Sequence, residues 1–294
     1  MAEKSLSMVV GLCGIIKAGA AYVPINPDYP EDRIHYILKD CCPKAIIAHD
    51  FKFETDVQVV DIEDYMGLED DAIDIANSPD DYAYAIYTSG TTGQPKGTII
   101  SHKNINRLVK GVSYIDLDED TRLLQTGSIA FDASTLEVWG TLLNGGLLVL
   151  ADSDKLLDCK LLRECISENS ITTMWLTAAL FNQMIMMDKY IFSGLSHLLI
   201  GGEKLKEDHV RLFRENNPNI RLTNGYGPTE STTFTTTYEI HAVDGNIPIG
   251  KPIENTQVYI LDKNNKLCGI GMAGELCIAG DGSSTSQILN ISNE

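Results

Sequence analysis

Tyr87-Thr88-Ser89-Gly90-Thr91-Thr92-Gly93-Gln94-Pro95-Lys96-Gly97 follows a short apolar run, Tyr84 to Tyr87, that reads as a β-strand. The ten residues after Tyr87 hold three glycines, four hydroxyl side chains and one lysine. Glycines let a backbone turn sharply and approach a ligand closely. Hydroxyls and exposed N–H groups donate to anionic oxygens, and the lysine adds a mobile point charge. The combination suits a polyphosphate. It is not a Walker A loop, because Pro95 stands where that motif needs a glycine before the lysine.

Around this loop, apolar helical patterns alternate with short β-like runs, which predicts an α/β fold with helices covering sheets. Upstream, residues 5–19 read as a helix, 21–25 as a strand and 31–40 as a second helix. Short strands are expected at Ala45–Ala48 and Val57–Val60. Downstream, helices are expected at 103–114, 133–143, 158–168, 179–187 and 207–216. The intervening strands are Leu123–Thr126, Leu147–Ala151, 171–176, His197–Ile200 and 220–223. Asn224–Glu230 reads as a loop, 232–240 as β-like, and 256–261 and 274–279 as strands of a smaller β unit.

The 294 residues are 44% hydrophobic, enough to bury a sizeable core. A net charge of −18 argues against a nucleic-acid or anionic-membrane partner. Asp61 to Asp81 holds nine acids and no Lys or Arg, a solvated linker ahead of the strand at Tyr84. Seven cysteines without metal-ligand spacing suggest no disulfide framework and place the chain in a reducing cytoplasm. Met1 to Ala21 mimics a signal peptide, but Glu3 offsets Lys4, two glycines interrupt the apolar run and Lys17 flanks the cleavage-like patch. No apolar stretch reaches the roughly 18 residues of a membrane span.

The loop Tyr87–Gly97 resembles the phosphate-binding signature of the adenylate-forming enzymes: acyl-CoA synthetases, luciferases and the adenylation domains of nonribosomal peptide synthetases. Four further segments match in the right order: Lys17–Ile25, Phe131–Ser134, Asn224–Glu230 and Gly274–Gly282. The first and last are structural landmarks of that family. The resemblance implies two helix-covered β-sheet subdomains and the start of a smaller β unit. In this chain 1–240 would be an incomplete α/β core, 241–282 the smaller β unit and 283–294 a divergent tail.

The resemblance also implies roles. Thr88, Ser89, Gly90, Thr91, Thr92, Gly93 and Lys96 would cradle the β- and γ-phosphates of ATP, with Thr229 at the α-phosphate. Tyr226 would stack on adenine and Asn224 would lie near its amino group, with Gly202 and Glu203 forming the other wall. Glu230 would hold Mg²⁺, a hard cation that suits a carboxylate. A lone Asp before a helix is ordinarily an N-cap worth about 1 kcal/mol. Asp132 matches the residue that binds the α-ammonium of an amino acid, which tilts the reading toward amino-acid activation. Asp132, Ala133, Leu136, Trp175, Leu199, Gly201, Gly225, Thr233 and Phe234 would line the substrate pocket. That lining is apolar apart from Asp132 and Thr233, and it resembles activators of branched amino acids, valine first. The product would pass to the phosphopantetheine thiol of a peptidyl carrier protein.

After Gly282 the sequence leaves the family pattern. The family's Thr-Gly-Asp signature and its C-terminal subdomain with the catalytic lysine are absent, and no lysine here is assignable to that role. Lys96 belongs to the phosphate loop. Three readings follow: an adenylating chain, a remnant that binds ATP or amino acid with turnover near zero, and an acyl- or aryl-CoA ligase.

Overall fold

A computed structural model describes residues 1, 3–48, 53–65, 75, 77–89, 95–151 and 153–284. Helix α1 (Leu6–Lys17) starts at Ser5, whose hydroxyl accepts from the Met8 amide. Helix α2 (Glu31–Cys41) precedes a parallel pair, β1 (Ala45–Ala48) and β2 (Gln58–Asp61). Strands β3 (Tyr82–Ser89) and β4 (Pro95–Ser101) form an antiparallel hairpin, with Thr88 opposite Lys96. Then follow α3 (His102–Val109), β5 (Arg122–Gln125), α4 (Ala133–Leu142), β6 (Leu147–Leu150), α5 (Ser153–Leu157) and α6 (Cys159–Glu168). The remaining elements are β7 (Thr173–Thr177), α7 (Ala178–Met187), β8 (His197–Gly201), α8 (Glu207–Asn216), β9 (Arg221–Tyr226), β10 (Thr236–Glu239), β11 (Lys251–Pro252), β12 (Thr256–Leu261) and β13 (Glu275–Gly280).

The fold is α/β. Seven strands form the main sheet in the order β11-β10-β9-β8-β7-β5-β6. Its five members from β9 to β6 are parallel, as helical crossovers require, while β10 and β11 run antiparallel at one edge. Strands β12 and β13 form a separate antiparallel pair, the smaller β unit.

Strand alternation divides the core in two. Met174, Leu176, Leu198 and Ile200 point into one cluster, covered by Leu162, Ile166, Phe181, Met184, Val210 and Phe213 from α6, α7 and α8. Trp175 and Leu199 point the other way, into a cluster with α1, α3 and α4. The first cluster centres on Phe181, Phe192 and Phe213, whose ring centroids lie 5.8–6.0 Å apart.

Three expectations need correction, and one strand was not expected. Of residues 21–25 only Tyr22 makes a β contact, a parallel bridge to Tyr84. Helix α3 stops at Val109 rather than 114, because Lys110 is extended and Gly111 takes φ +64°. Asn224, Gly225 and Tyr226 belong to strand β9, not to a loop. Pro95–Ser101, left unassigned by the sequence, is strand β4. Its proline cannot donate to a ladder and is tolerated because, among the described residues, β4 pairs on one side only.

Removing the centre of the aromatic cluster tests this packing. Phe213→Ala is expected to lower unfolding free energy by about 3–5 kcal/mol in urea titrations. Met187→Ala, at an exposed site, should change it by no more than about 0.5 kcal/mol.

Candidate active site at the carboxyl ends of the parallel strands

The chain leaves β5 toward β6 on one side and β7 on the other. Ligands of open α/β sheets bind outside the carboxyl ends of strands at such a switch point. Here residues 126–132 connect β5 to α4 and deliver Asp132 to the first turn of that helix. A second segment, 227–235, joins β9 to β10 across the same edge.

The two segments are laced together. Thr229 Oγ1 donates to Asp132 Oδ2 at 2.7 Å, and Thr233 Oγ1 donates to the Asp132 carbonyl at 2.7 Å. The Asp132 side chain makes no capping bond to α4, so the ordinary N-cap role does not explain it. Burial pushes its carboxyl upward from the usual carboxylate range, while the Thr229 bond and nearby backbone amides oppose that shift.

Ala133, Leu136, Trp175, Leu199 and Phe234 meet in one buried apolar cluster. The Trp175 and Phe234 rings lie 5.0 Å apart, and Tyr114 meets Phe234 edge-on at 5.8 Å. The glycines are sterically required. A Cβ on Gly201 would collide with the Gly225 carbonyl and the Trp175 ring. One on Gly225 would fall within 2.5 Å of the Phe234 ring.

Beyond this wall, Asn224 is buried and its amide donates to the Pro248 carbonyl at 2.8 Å. Tyr226 keeps an exposed ring, and Gly202, Glu203 and Glu230 are exposed. Gly202 takes φ +84°. Thr88 and Lys96 stand opposite each other at the root of the β3–β4 hairpin, with Ser89 at the end of β3. Gly90, Thr91, Thr92 and Gly93 lie outside the described residues. The hairpin root is tied to α2, where Tyr87 Oη donates to Asp40 Oδ2 (2.6 Å) and Tyr36 Oη to the Pro95 carbonyl (3.1 Å). It is tied to the Asp132 helix as well: Tyr84 Oη and Thr135 Oγ1 share a 2.6 Å hydrogen bond. Strand β4 also lies against the Thr229–Ser231 turn.

A sequence profile for AMP-binding enzymes matches residues 1–286. The chain belongs to the AMP-binding enzyme family. It is 43% identical over 291 residues to gramicidin S synthase 2 of Brevibacillus brevis, covering 96% of this chain and 6% of that protein. It is also 43% identical over 291 residues to surfactin synthase subunit 2 of Bacillus subtilis (strain 168), covering 96% and 8%. Among solved structures it resembles holo-PA1221, an NRPS protein containing adenylation and PCP domains (TM-score 0.89, 33% identity, 96% of this chain and 50% of that one). It likewise resembles the Klebsiella oxytoca NpsA N-terminal subdomain in complex with 3-hydroxybenzoyl-AMSN (TM-score 0.88, 25% identity, 97% and 74%). The chain thus spans less than a tenth of these two curated relatives. No helix among the described residues is long and apolar enough to cross a membrane.

Family motifs do not reveal the layer behind the apolar cluster. Glu137 on α4 is fully buried, and its Oε1 accepts from the Thr126 amide and hydroxyl, both at 2.9 Å. The Thr126 hydroxyl also lies 2.8 Å from the Trp175 carbonyl. Lys4 reaches the Gln125 and Thr126 carbonyls at 3.2 and 3.3 Å. Among the described residues Glu137 Oε2 has no hydrogen-bond partner, and burial raises the carboxyl to about 7 against the Thr126 bonds and Lys4. The available sequence signal was a carboxylate inside an otherwise apolar helix, Leu136 to Trp139.

Glu137 should make stability pH-dependent. Its carboxyl titrates near 4.5 when unfolded and near 7 when folded, so the folded state binds the proton more tightly. The contribution is full below pH 4.5 and is lost as pH rises through 7, on the order of 3 kcal/mol. Glu137→Gln keeps the Oε1 acceptor and removes the titration. His197, pushed down to about 3 by burial, makes stability rise with pH up to about 6.5 in both proteins. The readout is therefore the difference: the urea midpoint of the native chain relative to the variant should fall from pH 4.5 to 8, and a constant difference would refute the assignment.

Proposed function

We propose that this chain binds an amino acid and ATP and forms aminoacyl-AMP with release of pyrophosphate. The observation that carries the reading is the Asp132 carboxylate, held by Thr229 at the edge of a buried apolar cluster that would form the substrate pocket. A carboxylate there pairs with an α-ammonium and leaves the substrate side chain to meet Trp175, Leu199 and Phe234.

The substrate carboxylate then attacks the α-phosphorus in line and pyrophosphate departs, so catalysis is mostly positioning and charge neutralisation. Thr229, bonded to Asp132, stands between the amino-acid end and the phosphate end. Tyr226 offers an aromatic face for adenine and Asn224 lines the same strand. Thr88, Lys96 and the loop they flank receive the β- and γ-phosphates. Glu230, an exposed carboxylate one residue from Thr229, fits a Mg²⁺ that takes few protein ligands and several phosphate oxygens. Bound there, Mg²⁺ would neutralise phosphate charge.

Trp175 and Phe234 consume volume and no second charge enters the lining, which favours a small branched amino acid, valine first. One methylene discriminates by about 1–3 kcal/mol, so isoleucine and leucine are the nearest competitors. A phosphopantetheine-bearing carrier domain is the proposed acceptor, by similarity to proteins that join adenylation and PCP domains. An aryl acid is the competing substrate class, since one structural neighbour binds a 3-hydroxybenzoyl ligand; Asp132 favours the amino acid.

Calorimetry in the presence of ATP tests the reading. Valine should bind in preference to 3-methylbutanoate, which is valine without its amino group. Asp132→Ala should weaken valine at least 30-fold, roughly 2 kcal/mol or more, with ATP affinity little changed. Equal binding of both acids, or of valine by both proteins, would overturn the reading. Valine-dependent ATP–pyrophosphate exchange by the chain alone then separates turnover from binding without turnover.

A further inference from the structure

Helix α3 buries two polar side chains one turn apart, Asn104 and Arg107, 1% and 3% exposed. Every hydrogen-bond partner of Arg107 is a carbonyl or hydroxyl oxygen. Nη1 donates to the Phe234 carbonyl at 2.7 Å and to that of Thr232 at 3.4 Å. Nη2 reaches the Ser231 carbonyl at 3.3 Å and its hydroxyl at 3.4 Å. Burial lowers the guanidinium to about 10, and it stays charged at neutral pH. Burying such a group is costly unless the bonds it makes are needed.

What it holds is strained. Thr232 and Thr233 take φ +50° and +66°, the left-handed region, which β-branched residues rarely enter. In this conformation three carbonyls converge on Arg107, the Thr233 hydroxyl turns to the Asp132 carbonyl and the Phe234 ring turns to Trp175. The chain after β13 closes over the guanidinium. Thr232 Oγ1 donates to the Gly282 carbonyl at 2.9 Å, and Asn104 Nδ2 to the Asp281 carbonyl at 2.6 Å. A Cβ on Gly282 would collide with Nη2.

We propose that Arg107 is a positioning residue that sets the depth of the amino-acid pocket, holding Thr232 and Thr233 left-handed so that Phe234 stands against Trp175. The proposal rests on the adenylation reading for its substrate but on hydrogen bonding for its geometry. Neutral replacement frees the strained turn to relax, which withdraws Phe234 and admits larger side chains.

Two measurements on the whole chain test it, using Arg107→Met and Arg107→Lys. The first is the affinity for non-hydrolysable aminoacyl sulfamoyl-adenosines, comparing the preferred aliphatic analogue (valyl, isoleucyl or leucyl) with phenylalanyl. The native preference should exceed 10-fold, and Arg107→Met should narrow it to within 3-fold while AMP affinity moves less than 2-fold. Arg107→Lys should recover at least half of the preference on a logarithmic scale. The second is hydrogen exchange at the Phe234 and Thr235 amides, which should quicken at least 10-fold in Arg107→Met while β8 stays protected. An unchanged preference overturns the proposal, as does exchange that quickens equally in β8. If the native chain binds none of the analogues, the adenylation reading fails and the exchange pattern alone decides Arg107. If Arg107→Met does not fold, Arg107→Lys is read in both measurements, with a smaller change in the same direction expected and no change overturning the proposal.

Discussion

The hydrogen bond from Thr229 to Asp132 joins two segments that are 97 residues apart in sequence. One follows β5 and opens α4, and the other follows β9 and leads back into the antiparallel edge. Both emerge at the carboxyl ends of parallel strands because every crossover returns the chain to the same starting edge. The bond holds a half-buried carboxylate in place and brings the threonine after β9 beside the apolar wall. The amino-acid end and the phosphate end of the proposed site therefore share one contact. Tyr84, bonded to Thr135, extends that contact to the β3–β4 hairpin, whose loop is the proposed phosphate-binding segment.

Around this contact the protein buries several polar side chains. Arg107, Glu137, Asn104 and His197 are each at most 3% exposed. Each meets a partner that fixes a neighbour: Arg107 the left-handed threonines, Glu137 the Thr126 turn, Asn104 the chain after β13, His197 the Thr223 hydroxyl at 2.8 Å. Burial shifts Glu137 and His197 toward their neutral forms, to about 7 and about 3. These groups sit on the Trp175 side of the main sheet or in the helices covering it. The opposite side, around Phe181, Phe192 and Phe213, is packed with aliphatic and aromatic side chains. The division follows the strand repeat of two: Met174, Leu176, Leu198 and Ile200 face the dry core, and Trp175 and Leu199 face the site.

Much of this was legible in the sequence, for local reasons. Helices α1, α2, α4, α6, α7 and α8 show the periodicity and boundary residues expected of them, and β1, β6, β7 and β8 are largely apolar runs of strand length. Strand β4 was hidden because Pro95 and Gly97 read as turn residues, and their tolerance depends on edge pairing and on the Tyr87 ring beside Gly97. Asn224–Tyr226 read as a turn for the same reason. Pairing on both sides, with β8 and β10, makes it a strand.

By itself the sequence determined the alternation of elements, the glycine- and hydroxyl-rich loop and the set of residues whose resemblance named the family. Those are local properties: periodicity, turn chemistry and motif order need no knowledge of what lies across the sheet. Only the tertiary structure decided that Asp132 turns to Thr229 rather than capping its helix, that Gly201 and Gly225 have no room for a Cβ, and that Arg107 holds the wall opposite Trp175. Each of those depends on atoms from distant segments meeting within a few ångströms, and such proximity is fixed by how the strands pair and how the helices pack over them.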